Sequence, residues 1–281
     1  MGQYLKFWGT RGSCPVSGPQ YQQFGGNTSC LELRYGDSLI IFDAGTGIRP
    51  LGNQLIEEGI RKIHLFFSHL HWDHILGFPF FLPAYQNDVE ITIWAPHGSA
   101  RAPEALFKEL FAEEFFPVRL DQLDARLTFR TIRENEPVSI GALHIDFLPA
   151  CHPYETFCFK IKTPRQVIGY VTDNELTSPF HPKDHVRLIE FFRHCDLFIH
   201  EAQYTSEEHM EKSGWGHSSS LGVLSLVEQI FPGKWLVIHH DPNHTDADLL
   251  SFCKEMKELL HKKRIDCLVE WVGDGTVMEL A

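Results

Sequence analysis

The sequence predicts an α/β chain in which short β-strands stack into sheets and the fewer helices lie outside them. Three observations carry that reading. Ten apolar or alternating runs of three to six residues recur between positions 31 and 271, with helical apolar spacing between some of them. Hydrophobic residues make up 43% and charged residues 22% of the 281, as in an ordinary globular chain and unlike a disordered one. No internal repeat or Ser/Gly-rich linker divides the chain, so 1–281 reads as one domain.

Taken in order, Leu31–Tyr35 and Ser38–Phe42 flank Gly36-Asp37, placed as a two-residue hairpin turn would be, although Asp-Gly is the commoner order. Ile63–Phe67 and Val89–Trp94 are further strands, with His64 a structural residue inside the first. Leu143–Phe147, Phe157–Ile161 and Val167–Val171 follow. Leu197–Ile199, Trp235–Ile238 and Cys267–Trp271 are short apolar runs of the kind buried on both faces.

Pro103 opens a helix with Leu106, Leu110 and Phe111 on one face. Ser219 or Ser220 caps a second, carrying Leu221, Leu224, Val227 and Ile230. Thr245-Asp246-Ala247-Asp248 resembles a capping box ahead of Leu249, Phe252, Cys253, Met256 and Leu260. The segment from Pro96 to Pro137 carries Phe107, Phe111, Phe115 and Phe116 and reads as a helical hairpin or, alternatively, a lid whose rings stack on a ligand.

The formal charge of −12 disfavours a protein whose main task is gripping long nucleic acid. No apolar run reaches the ~18–20 residues of a membrane span, and the start shows no basic region before an apolar stretch, so a cytoplasmic chain without a membrane partner is expected. Seven dispersed cysteines without a C-x-x-C pair read as reduced, buried thiols.

The strongest chemical signal is Ser68-His69-Leu70-His71-Trp72-Asp73-His74, directly after an apolar strand. His69 and His71, two apart in extended chain, point to one side and can share a metal, while Asp73 and His74 can reach a second. Six residues cannot complete two four-coordinate sites. Further donors stand at other strand ends: His152 after Leu143–Leu148, Asp173 after Gly169–Thr172, and His239 and His240 after Trp235–Ile238.

In this order the residues resemble the metallo-β-lactamase superfamily over nearly the whole chain. The resemblance implies a four-layer αββα sandwich. It assigns His69, His71 and His152 to one divalent ion, Asp73, His74 and the final histidine to another, and Asp173 as a bridge. Zinc is preferred, with manganese or iron as alternatives. For the final histidine, His239 follows the strand directly, with His240 as the alternative. Gly9-Thr10-Arg11-Gly12-Ser13, Asn27-Thr28-Ser29, Phe42–Gly45, His200-Glu201-Ala202-Gln203 and His217-Ser218-Ser219 are similar to the phosphodiesterase branch, which includes tRNase Z and phosphoribosyl cyclic phosphate phosphodiesterases.

That branch implies Asp73, His217 and Glu201 as catalytic, with His217 a general acid oriented by Glu201. Asp43 and Asp274 either orient ligand imidazoles or form turns beside glycine, and Arg11 either contacts a phosphate or forms a surface salt bridge. Gln203 stands where tRNase Z has Thr, and His152 and Asp173 lie only 21 positions apart, which leaves no room there for the long RNA-binding arm of tRNase Z. A small phosphodiester is therefore expected, a cyclic nucleotide or cyclic ribose phosphate. Thioester or lactam hydrolysis and a non-hydrolytic carrier or sensor are the alternatives, and a homodimer is admitted by the resemblance.

Overall fold

The computed structural model describes residues 2–96, 102–176 and 184–281. The first half runs β1 (Tyr4–Gly9), β2 (Cys30–Tyr35), β3 (Ser38–Phe42), α1 (Ile48–Glu57), β4 (Lys62–Phe66), α2 (Trp72–Ile75), β5 (Glu90–Ala95), α3 (Pro103–Leu110) and β6 (Arg126–Thr131). The second runs β7 (Val138–Ile140), β8 (Leu143–Pro149), β9 (Phe157–Lys162), β10 (Val167–Val171), α4 (Asp184–Phe192), β11 (Leu197–Glu201), α5 (Ser206–Glu211), α6 (Ser220–Ile230), β12 (Lys234–Ile238), α7 (Asp246–Lys263), β13 (Leu268–Trp271) and β14 (Val277–Glu279).

Among the described residues the strands form two seven-stranded sheets, ordered β14-β1-β2-β3-β4-β5-β6 and β13-β12-β11-β10-β9-β8-β7. Alternation sorts their apolar residues into separate layers. Phe7, Leu33, Ile40, Phe42 and Phe66 meet Phe159, Tyr170, Ile199 and Leu236 between the sheets. The opposite faces pack outward, Leu39, Ile41 and Leu65 against α1 and α3, and Phe198, Trp235 and Val237 against α4, α6 and α7. Burial on both faces explains the continuous apolar runs, and the result is the expected αββα layering.

Strand direction places the chemistry. β3, β4, β5 and β6 are mutually parallel, as are β10, β11, β12 and β13. β8 runs the same way as β10, since both are antiparallel to β9. Ligands of open α/β sheets bind beyond the carboxyl ends of such strands, and all the candidate donors lie there.

The hairpin turns at Gly36-Asp37, with Tyr35 paired to Ser38 and Gly36 at φ 57°. Ser219 caps α6 and Thr245 forms the capping box of α7. Three readings change. Leu221 is 42% exposed, and Val223 and Leu226 take the buried face of α6 instead. Cys14 is exposed, whereas the other six thiols are buried. The 96–137 segment, of which 97–101 lie outside the described residues, is not a helical hairpin: α3 leads through a 3₁₀ turn to β6, which extends the sheet beside β5.

Candidate metal centre

Seven donors converge from four strand ends. After β4 the chain stays extended through His71 and then turns into α2, which swings Asp73 and His74 away from His69 and His71. Donor atoms of His69, His71, His152 and Asp173 lie within 4.8 Å of one another, as do those of Asp73, His74 and His239. Asp173 faces both groups. Its Oδ2 is 3.4 Å from His69 Nε2 and 3.8 Å from His152 Nε2, while its Oδ1 is 3.3 Å from His74 Nε2 and 3.2 Å from His239 Nε2. Asp73 Oδ2 closes the second group at 3.3 Å from His74 Nε2 and 3.0 Å from His239 Nε2. His240 turns away, its Nε2 2.7 Å from the Val272 carbonyl and its ring edge-on to Phe24.

Four of the five histidines have their inward Nε2 set by a contact at the other ring nitrogen. Ser68 Oγ lies 3.1 Å from His69 Nδ1, Asp43 Oδ2 3.0 Å from His74 Nδ1, Thr156 Oγ1 2.8 Å from His152 Nδ1 and Gln203 Oε1 2.8 Å from His239 Nδ1. Asp43 is itself fixed by the Ser68 N–H and hydroxyl and by the Tyr170 hydroxyl. Sequence reasoning singled out Asp43 but missed Ser68, Thr156 and Tyr170, and treated Gln203 only as a departure from tRNase Z. Gln203 follows a recognisable motif, which was the available signal.

The electrostatics fit a cation. Burial holds His69, His71 and His152 below the usual imidazole range, in the neutral state that ligates. Burial works against charge on Asp73 and Asp173, yet neighbouring imidazoles hold both carboxyls well below the usual range. His74 is raised well above its ordinary value: Asp73, Asp173 and Asp43 overcome its burial. Three carboxylates enclosed this way call for positive charge at their centre. His69 Nε2 and Asp173 Oδ1 are buried with no hydrogen-bond partner among the described residues, as donors aimed at an ion would be.

His217 stands beside the second group, with Nδ1 4.0 Å from Asp173 Oδ2 and its ring stacked on His239 at 5.1 Å. Burial lowers it to about 3. Glu201 does not orient it by direct contact. Its Oε1 accepts the Ser218 N–H at 2.6 Å and its Oε2 the Gln203 N–H at 2.8 Å, so it fixes the backbone on which His217 sits. Glu175 acts similarly, accepting the N–H groups of Gly214 and Gly216.

Two expectations fail on geometry. Asp274 touches no imidazole; it accepts N–H bonds from Thr10, Gly26 and Asn27, and burial pushes it up to about 6. Arg11 is fully buried, bonds the carbonyls of Gly25, Asp241 and His244 and lies 3.8 Å from Asp246 Oδ1, so the pair it forms is buried instead of on the surface and ties two loops together.

Residues 39–240 match the model of the β-lactamase superfamily domain, and the chain belongs to that superfamily. Within it the chain falls with the metal-dependent phosphodiesterases. Ribonuclease Z of Thermoplasma acidophilum is 22% identical over 92% of this chain and 93% of its own length, and that of Lacticaseibacillus casei 26% over 80% and 81%. The metallo-β-lactamase fold protein YhfI from Bacillus subtilis superposes with a TM-score of 0.72 at 18% identity, covering all of both chains. Those two relatives are named for RNA cleavage. No helix among the described residues is long and apolar enough to cross a membrane.

Proposed function

We propose that residues 1–281 form one hydrolase domain that cleaves a small phosphodiester, a cyclic nucleotide or cyclic ribose phosphate, with two divalent ions, zinc first. His69, His71 and His152 would hold one ion, Asp73, His74 and His239 the other, and Asp173 both. The observation that carries this reading is the division of Asp173, one oxygen toward each histidine group. When bound, such a pair offsets phosphate charge and acidifies water.

The chain's own residues supply the rest. Buried carboxylates and imidazoles hold the donors in place before substrate arrives, so little reorganisation is needed in the transition state. His217 presents Nδ1, which has no hydrogen-bond partner among the described residues, toward the same centre. A phosphate anion beside it favours its charged form, from which the proton passes to the departing oxygen. Glu201 and Glu175 keep the His217 loop seated through backbone N–H groups.

The small substrate is favoured by the link from His152 to Asp173, which the β9–β10 pair fills without room for an arm. Metal analysis and turnover of bis(p-nitrophenyl) phosphate, nitrocefin and 2′,3′- and 3′,5′-cyclic nucleotides test the reading. Two ions per chain and diester turnover are expected. No bound ion, or lactam without diester turnover, would overturn it. A longer RNA is the second reading, favoured by the ribonuclease relatives, and cleavage of a precursor transfer RNA in preference to cyclic nucleotides would establish it.

A further inference from the structure

A groove of about 310 Å³ opens beside the candidate metal centre. Its position is set by two residues that also belong to the centre's surroundings. His71, the exposed member of the first donor group, lines it, and Tyr154 lines it with its ring 5.7 Å from that of His71. A phosphate held by the donors would therefore direct a substituent into the groove mouth.

The walls indicate what that substituent is. Trp72, Phe115, Tyr154 and the buried Phe107 line the groove, with Leu106, Leu110 and the acidic Glu109 beside them. Trp72 and Phe115 are 59% and 74% exposed and so present aromatic surface to a ligand in the groove. The volume lies at the low end of small-molecule sites, ~300–1,000 Å³, so it suits one ring system and not a nucleic-acid strand. A nucleobase is neutral near pH 7, so the chain's −12 charge does not oppose it, and every base has a π-face for aromatic walls.

We propose that this groove is the subsite for a nucleobase carried by the diester. The assignment rests on the phosphodiesterase reading and deepens it to nucleotide substrates. The test compares three p-nitrophenyl diesters that share a leaving group and differ in the other substituent: thymidine 5′-yl, methyl and octyl. Stacking predicts a kcat/KM preference for the thymidine over the methyl ester of about 5- to 150-fold, equivalent to ~1–3 kcal/mol at ~1.36 kcal/mol per tenfold. Phe115→Ala, which removes an exposed wall, and Leu106→Trp, which fills the groove, should each bring that ratio toward one.

Binding is read separately, by saturation-transfer NMR with adenosine. Transfer to the base protons is expected in the wild type and is lost in Leu106→Trp. Base transfer without turnover of any ester would remove the phosphodiesterase reading while keeping the groove as a nucleobase site. An unchanged thymidine/methyl ratio in both variants, an octyl ester preferred over thymidine, or no transfer to the base would overturn the inference, even if all three esters were hydrolysed.

Discussion

Gly12 offers the sharpest test of how the second donor group is held. A Cβ at this position would stand 2.3 Å from His239 Nδ1 and 2.4 Å from its Cε1. Ordinary non-bonded contact begins near 3.5 Å, so in Gly12→Ala the imidazole must retreat by roughly 1.2 Å. That movement breaks the 2.8 Å contact between His239 Nδ1 and Gln203 Oε1 and carries Nε2 from its place 3.0 Å from Asp73 and 3.2 Å from Asp173. Metal–nitrogen distances tolerate only ~0.2 Å. The variant should therefore bind one ion instead of two and lose about 10²-fold in diester turnover, the usual scale for an ångström of misplacement. Overpacking should cost ~1–3 kcal/mol of stability, leaving a folded protein by circular dichroism. Plasma mass spectrometry of metal-loaded protein reads the stoichiometry. Two ions and wild-type turnover would refute the placement of His239.

Asp43→Asn removes the charge 3.0 Å from His74 Nδ1 and should weaken metal affinity ~10- to 100-fold, read by competition with a chromogenic chelator. His217→Ala should retain both ions and slow turnover ~10²- to 10⁴-fold; an unchanged rate would remove the acid assignment. Asp274 gives a pH dependence of stability. Between its ordinary 3.8 and about 6, the folded chain keeps a proton that the unfolded chain has released, so its contribution declines as pH rises through that window. The decline reaches at most ~3 kcal/mol at ~1.36 kcal/mol per tenfold in proton affinity. Urea titrations of chelated Asp274→Asn and wild type should therefore converge as pH rises from 4 to 7, on top of a constant penalty for turning an amide toward the Gly26 and Asn27 N–H groups. Curves that stay parallel would show that Asp274 remains ionised throughout.

The donors were legible because polar groups that dense at the end of an apolar strand are costly without a partner, and because His152, Asp173 and His239 repeat that placement. The residues that aim them were not. Tyr170 sits inside β10 and Thr156 in a loop, and their roles exist only once the two sheets face each other. Helix α1, absent from the sequence expectations, carries Pro50 and Gly52, both of low helix propensity. Pro50 falls in the first turn, where its missing N–H costs nothing, and Gly52 admits the Phe81 ring, which a Cβ would meet at 2.9 Å. β6 was hidden by charged flanks at Arg126 and Arg130, exposed positions on an edge strand whose Leu127 and Phe129 face inward.

Three of the seven non-glycine residues with left-handed backbone among the described residues belong to the centre. Ser13, Asp43 and His239 all adopt left-handed backbone, at φ 62°, 61° and 57°. Each lies at the site: the Ser13 N–H reaches Asp73 Oδ2 at 2.8 Å, Asp43 holds His74, and His239 faces both aspartates. Asp and His enter this region more readily than most residues, and the cost is ~1–3 kcal/mol each. At the ends of β3 and β12 the left-handed residue breaks the extended strand conformation, and its side chain meets the donor group. The surrounding hydrogen bonds over-determine those conformations, which is why the donors can be fixed before any ion or substrate binds.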